Sequence, residues 1–312
     1  MGLRVPIQSP VGRVRATRHP LVWRSAIFLL FTMGSALART DVIASGLLFP
    51  EGTIFVGGDL YFVDYSTSDV LRLDGGTVRK LSHLNGCGAN GVLHLDGSLL
   101  VACFDSGRIL RVSLDGKVLD TIEQDDAGGT SNAPNDLTAD GKGGVYFTAS
   151  GAPGTLGKVY HISAQGAVAS VAGGIDFANG LALSPDRRTL YVCETRTGRI
   201  LAFTIAEEGR LSQRRTFVTL SHILRSDRGA YSPDGLRTDS AGRLYIALYN
   251  GGGIAIVGPD AQLIRQIDLP ARHHSNLALT EDGRFIDVTA IDDDPGGSYR
   301  GKILRLPNPL TE

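Results

Sequence analysis

The sequence predicts an all-β chain, a six-bladed β-propeller whose blades each hold about four antiparallel strands. Three observations carry that expectation: a β motif opened by a polar anchor recurs six times, the anchors stand 39, 45, 44, 55 and 42 residues apart, and 40 of 312 residues are glycine. Glycine at nearly twice its usual ~7% share supplies the turns that many short strands need. Spacing of this size with several strands per unit belongs to propeller blades, whereas helical solenoids need amphipathic helices that these stretches lack.

Each unit starts on an amide or acid, alternates apolar residues, turns at Asp or Gly and then runs β-rich. The six read Glu51-GTIFVGGDLYFVD, Asn90-GVLHLDGSLLVAC, Asn135-DLTADGKGGVYFTA, Asn179-GLALSPDRRTLYVCE, Asp234-GLRTDSAGRLYIAL and Asn276-LALTEDGRFIDVTA. A third strand follows, as in residues 107–114 and 198–205, and most units add an outer strand such as KVLDTI. The last unit, ending at 301–307, lacks an outer strand, while the stretch 41–49 precedes the first unit. The N-terminal segment is therefore expected to pair with the final blade and close the ring, which removes an exposed edge. The long interval between Asn179 and Asp234 holds AEEGRLSQRR and HILRSDRGAYS, read as an extended surface connection over one face.

Residues 1–38 stand apart. They hold five Arg (Arg4, Arg13, Arg15, Arg18, Arg24), the only Trp, Trp23, and no acidic residue. An apolar run over 26–33 leads to Ala36-Leu37-Ala38, the small-residue pattern of a signal peptidase site. The expected organisation is a signal peptide over 1–38 and one propeller domain over 39–312, in the periplasm or secreted; a start at Met33 would instead leave a cytoplasmic protein. The apolar run is about half of the ~20 residues that span a bilayer, so no membrane anchor is expected. The whole chain sets 31 basic against 32 acidic groups, and loss of the five leader Arg leaves 26 against 32, a net −6. Neither balance offers the basic face that nucleic acid requires, and 42% hydrophobic content is too high for intrinsic disorder. Cys87 and Cys103 would bridge in an oxidising space and leave Cys193 over, or each serves as a small apolar strand residue.

In a propeller the first strand of each blade lines the central channel. Glu51, Asn90, Asn135, Asn179, Asp234 and Asn276 should then converge at one mouth, all of them oxygen donors and two of them charged. Such a set suits Ca²⁺, which takes six to eight oxygens at ~2.3–2.6 Å; zinc would favour His or Cys. An alternative stands beside it, in which the Asn and Asp anchors merely initiate Asx turns. That alternative accounts less well for Glu51, because Glu is not a favoured Asx-turn residue.

The ordered motifs Glu51-Gly52, Pro134-Asn135-Asp136-Leu137, Ala178-Asn179-Gly180-Leu181-Ala182-Leu183-Ser184-Pro185-Asp186 and Pro233-Asp234-Gly235-Leu236 resemble the senescence marker protein/gluconolactonase/luciferin-regenerating family over about residues 49–307. The resemblance implies a six-bladed propeller with a divalent cation, usually Ca²⁺, held at the channel mouth by Glu51, Asn179 and Asp234, with Asn135 contacting metal or substrate; Zn²⁺, Mg²⁺ and Mn²⁺ are alternatives. It also implies hydrolysis of a small-molecule lactone or related ester, the cation polarising the carbonyl and Asp234 helping to activate water. Asn90, Asn276 and His274 join Asn135 as candidate substrate contacts. Related propeller lactonases use histidines as bases, which makes His273 and His274 the runners-up, with at most one facing the channel because neighbours on an extended segment point opposite ways; otherwise they are exposed loop residues. Members acting on sugar-acid lactones carry an Arg two residues before the third-motif Asn. Here that residue is Ala133, which with Phe177 would suit a less polar ring, Ser131 and Asn132 being left to hydrogen-bond.

Other signals are weaker. Asp292-Asp293-Asp294-Pro295 lacks EF-hand spacing and reads as a solvated loop, and Gly251-Gly252-Gly253 reads as a blade turn rather than a nucleotide loop. G-x-S-x-G does not occur, so covalent serine catalysis is not expected. Two other functions compete: a secreted ligand-binding propeller whose metal is purely structural, and a strictosidine-synthase-like propeller that works without metal.

Overall fold

The strand Asp59–Asp64 shows how alternation in the sequence becomes architecture. Leu60 and Phe62 pack against Ala44, Ala278 and Ile303, while Tyr61 and Val63 pack the other way, against Val92, Leu99 and Val101. All four side chains are buried, so this strand has a neighbouring sheet on each face. The same division recurs at the next sheet, where Leu99 and Val101 face backward and Leu100 and Ala102 face forward. Six apolar clusters result, one between each pair of neighbouring sheets.

The computed structural model describes residues 39–225 and 230–311; the signal peptide expected over 1–38 lies outside the described residues. These residues form six antiparallel four-stranded sheets, the six blades expected from the repeats. Blade 1 comprises Pro50–Val56, Asp59–Asp64, Asp69–Asp74 and Thr77–His83. Blades 2 to 5 follow over residues 89–122, 134–175, 178–219 and 232–268. Blade 6 takes Leu277–Leu279, Phe285–Asp293 and Tyr299–Pro307 from the C-terminal end and its outer strand, Asp41–Leu47, from the N-terminal end. Asp41 lies opposite Arg305 and Leu47 opposite Gly301, which is the closure foreseen. The innermost strands touch in sequence, and the last touches the first.

One expectation needs correction. AEEGRLSQRR is not a surface connection: it turns at Glu207–Gly209 and enters Leu211–Thr219, the outer strand of blade 4, paired with Arg199–Ile205. Outer strands are covered on fewer sides, so the polar run at Ser212, Gln213, Arg214 and Arg215 fits a strand there. The true connection begins at the short helix Leu220–Ile223 and buries Leu220, Leu224 and Tyr231 between blades 4 and 5. Elsewhere the turn chemistry follows the sequence: carboxylates of Asp140, Asp186, Asp239 and Asp282 accept the backbone N–H two residues on, at 2.7, 3.1, 3.0 and 3.0 Å. Gly251 and Gly252 form a turn into the strand Gly253–Val257, as expected. Cys87 and Cys103 form a disulfide, and Cys193 is free and buried.

Around the axis the innermost strands meet backbone to backbone at the glycine that follows an anchor. A Cβ on Gly91 would lie 2.3 Å from the Asn135 carbonyl oxygen, and one on Gly180 would lie 2.1 Å from that of Asp234. Neither glycine has a positive φ; what the position excludes is a side chain. Gly180→Ala should therefore lower unfolding free energy by about 1–3 kcal/mol, the usual cost of forced overpacking, as read from urea denaturation. A variant as stable as the parent would contradict this close approach.

Candidate active site

Backbone contact at the axis carries the residues before those glycines onto one ring. Glu51, Asn90, Asn135, Asn179 and Asp234 all line a single cavity of about 360 Å³ at the channel mouth, and all five are buried. Five of the six expected anchors thus meet. Asn276 does not join them, and its hydrogen bonds show why. Its N–H donates to Thr289 Oγ1 at 2.7 Å and its Oδ1 accepts from Leu277 N–H at 2.9 Å. Asp136 makes the same pair, to Thr148 Oγ1 at 3.2 Å and from Leu137 N–H at 2.9 Å. Asn276 is therefore the counterpart of Asp136, one residue beyond an anchor, and Ser275 holds the anchor position. Aligning on the leucine that follows (Asn135-Asp136-Leu137, Asn179-Gly180-Leu181, Asp234-Gly235-Leu236, Ser275-Asn276-Leu277) would have revealed the shift.

Asp136 and Asn276 are the two places where a side chain replaces the axial glycine, and both are held by one residue, Arg237. Its Nη1 donates to Asp136 Oδ2 and its Nη2 to Asn276 Oδ1 and the Thr53 carbonyl, each at 3.1 Å. Arg237 was not singled out from sequence, since it looks like an ordinary polar residue three places past an anchor. Structurally it ties Asp136 and Asn276 together as a floor behind the site and is not itself among the residues lining the mouth cavity.

Above that floor sit two carboxylates. Burial, then the charge of Asp234, then that of Asp136 hold the Glu51 carboxyl well above its usual pKa, against opposing hydrogen bonds from Gly52 N–H and Ser275. Burial first and Asp136 second raise Asp234 likewise, opposed by a hydrogen bond from Asn179. Two buried acids beside a third, with Arg237 already committed, favour an added positive charge. Among the described residues no group of three or more His, Cys, Asp or Glu side chains is placed to hold a metal. The donor set here is different: two carboxylates with the neutral amides of Asn179 and Asn135, hard oxygens that fit a divalent cation of the Ca²⁺ type.

Of the nine other residues lining the cavity five are aromatic, beside Thr195, Arg196, Ser232 and Asn250, and of the five only Phe177 stands out in the sequence. Tyr249, Phe49, Tyr65, Phe104 and Phe177 form an arc with successive ring centroids 6.2, 5.7, 6.0 and 6.4 Å apart. Tyr65, Phe104 and Tyr249 share a repeat position, one residue beyond the second-strand partners of Pro50, Ala89 and Pro233. That repeat was legible, but an aromatic residue at a strand end does not announce itself as a polar anchor does. Ala133 and Asn132 line an adjoining cavity, and the Ser131 hydroxyl donates to the Gly107 carbonyl at 3.1 Å.

Neither candidate histidine lines the mouth cavity, and neither is an exposed loop residue. His273 stacks on Tyr249 with centroids 4.3 Å apart and places Nδ1 3.0 Å from the Tyr249 carbonyl oxygen. His274 is fully buried with Nε2 3.2 Å from the Pro270 carbonyl oxygen. The acidic run is only partly the solvated loop expected: Asp292 and Asp293 end the strand Phe285–Asp293, and only Asp294 and Pro295 lie beyond it. Asp293 pairs with Arg272 at 2.6 Å and Asp292 with Lys302 at 3.7 Å, all on partly exposed side chains.

Comparison with known proteins bears on the family and the fold. A sequence profile described as the SMP-30/Gluconolactonase/LRE-like region matches residues 49–291. The lactonase drp35 of Staphylococcus aureus (strain USA300) is 30% identical over 205 residues, covering 63% of this chain; the chain spans only 61% of that relative's length. The pentonolactonase XacC of Haloferax volcanii is 28% identical over 284 residues, 86% of this chain and 93% of its own. Among solved structures, a gluconolactonase from Xanthomonas campestris superposes with a TM-score of 0.72 at 26% identity, covering 86% of this chain and 90% of its own.

The buried His274 gives the site's surroundings a pH signature. Burial first, then the charge of His273, pull its pKa from the ordinary 6.5 down to about 4. The unfolded chain takes up the proton first, so this contribution is intact above pH 6.5 and is lost as pH falls toward 4. Denaturant midpoints should reflect a loss of about 2–3 kcal/mol from this group between pH 7 and pH 4.5, and His274→Leu should flatten that slope. An equal slope in parent and variant would show that His274 is not buried neutral.

Proposed function

The chain belongs to the SMP-30/gluconolactonase/LRE-like family, and on that footing we propose that it hydrolyses the ester bond of a lactone in the channel-mouth cavity. The observation that carries this reading is the convergence of Glu51, Asp234 and three amides, Asn90, Asn135 and Asn179, as one buried patch of a cavity whose remaining lining is largely aromatic. Ester hydrolysis needs a base, donors for the developing oxyanion and a site that sheds bulk water. That patch supplies all three.

Each side-chain amide has two N–H donors. Asn135 spends one on Ser150 Oγ at 3.2 Å, which leaves it a donor for a carbonyl oxygen that gains charge, and Asn179 lies close enough to Asp234 to favour its charged form. Asp234, oriented by Asn179, accepts the proton of the attacking water as its oxygen bonds to the carbonyl carbon. The acyl–oxygen bond then breaks, the proton passes to the departing alkoxide, and the product is one hydroxy acid. A divalent cation held by Glu51, Asn179, Asp234 and Asn135, most simply Ca²⁺, would supply Lewis-acid polarisation of the carbonyl. Glu51, anchored by Gly52 N–H at 3.3 Å, contributes charge and position rather than proton transfer.

Export from the cytoplasm belongs to the same proposal. The basic leader with its Ala36-Leu37-Ala38 site supports it, and so does a Cys87–Cys103 disulfide, which persists in oxidising compartments. N-terminal sequencing of the mature protein should begin at Arg39; retention of the leader would contradict export.

Purified protein should hydrolyse lactones in a reaction that EDTA stops and added calcium restores. Asp234→Ala should lower kcat/KM by ~10²–10⁴, the range for loss of an acid–base group, and Glu51→Gln should raise the half-saturating calcium concentration at least ~10-fold. Parental turnover in Asp234→Ala would remove Asp234 from the mechanism.

A further inference from the structure

Outside the acid and amide patch, most polar groups of the mouth cavity are already bonded to protein, though Arg196, Asn250 and the Tyr249 hydroxyl keep hydrogen-bonding capacity. The Tyr65 hydroxyl donates to Asp105 Oδ1 at 3.0 Å, and the Thr195 hydroxyl donates to the Pro233 carbonyl at 2.7 Å. Ser232 Oγ accepts from Asn250 Nδ2 at 3.1 Å, and Arg196 Nη1 lies 3.3 Å from Asp176 Oδ1. A lactone ring carrying several hydroxyl groups would have only Arg196, Asn250, the Tyr249 hydroxyl and the patch itself to bind, a limited exchange for lost hydration. The aromatic arc, by contrast, presents half-buried ring faces to whatever lies beside the patch.

The arc also leads somewhere. Phe104, Phe177 and Arg196 line both the mouth cavity and a second cavity of about 370 Å³. Ala133, Ala152 and Pro153 line the second cavity together with the polar Asp105, Asn132, Ser150, Thr155 and Arg196, so an apolar group laid across Phe104 and Phe177 meets apolar surface on the Ala133, Ala152 and Pro153 side. Ala133 sits two residues before anchor Asn135, as Phe177 sits two before anchor Asn179, and both hold a left-handed backbone, at φ 57° and 62°. One blade fills this position with a ring and the next leaves it nearly empty.

We infer that the site takes an elongated, apolar lactone: the ring carbonyl meets the Glu51, Asn179 and Asp234 patch while an apolar substituent crosses Phe104 and Phe177 and ends beside Ala133 in the second cavity. This rests on the hydrolase reading and adds the substrate class. Phe104 and Ala133 are the specificity-determining residues. The chemistry recognised is a hydrocarbon chain or planar ring attached to the lactone, not a polyhydroxylated one.

The test compares γ-undecalactone with γ-valerolactone, which share the reacting ring and differ in chain length. The parent should show a kcat/KM ratio, long over short, of at least ~10, since burial of only two of the six extra methylenes is worth about tenfold. Ala133→Phe, which copies the ring and backbone conformation found at Phe177, should cut that ratio at least fivefold, mainly through KM. Phe104→Ala removes surface without adding bulk and should act in the same direction, so it answers the question if Ala133→Phe does not fold. A parental ratio near one, or a ratio unchanged in the folded variants, would overturn the inference while leaving the hydrolase reading intact. Hydrolysis of glucono-δ-lactone but of neither apolar lactone would also overturn the inference, whereas failure on all three would overturn the hydrolase reading and this inference with it.

Discussion

Everything at the mouth of this propeller depends on how closely neighbouring innermost strands approach around the axis. At Gly91, Gly180 and their counterparts Gly52 and Gly235 there is no room for a Cβ between adjacent backbones. That contact fixes the radius of the channel and turns one repeat position, the anchor, into a ring of side chains. The apolar clusters between blades hold the disc together, but they do not by themselves decide which residues face one another across the axis. The glycines do, and the two blades that depart from glycine, with Asp136 and Asn276, are the two that Arg237 joins.

This arrangement concentrates negative charge where water is scarce. Glu51 and Asp234 are buried above an Asp136 already matched with Arg237. Burying such a pair of carboxylates is unfavourable unless a proton or a cation compensates. A fold that selects for stability alone would place amides at all these positions. The hydrolase proposal gives that cost a purpose, since the same two acids could then hold a divalent cation and handle a proton beside a bound ester.

Much of this was legible in the sequence because propellers repeat. Six motif copies gave the blade number, and the missing outer strand of the last copy foretold that Asp41–Leu47 would complete blade 6. Reading polar residues as anchors placed five of them correctly and misplaced Asn276 by one residue, because an amide next to a serine looks like the anchor when only polarity is counted. The outer strand Leu211–Thr219 was taken for a connection because exposed strands lose the apolar alternation that marks buried ones. Arg237 and the arc from Tyr249 to Phe177 escaped notice for another reason: their importance comes from convergence across blades, which no local pattern displays. The histidines were misjudged in the same way, as exposed, when His273 and His274 are packed beneath the surface.

The central claim is that Glu51 and Asp234 form one cation-binding centre at the channel mouth. Calorimetric titration of the mature protein with calcium tests it most directly. The account predicts one calcium bound per chain, and no measurable binding after the paired substitution Glu51→Gln and Asp234→Asn in a protein that remains folded. Undiminished calcium binding by that double variant, or no divalent cation bound by the parent, would contradict it.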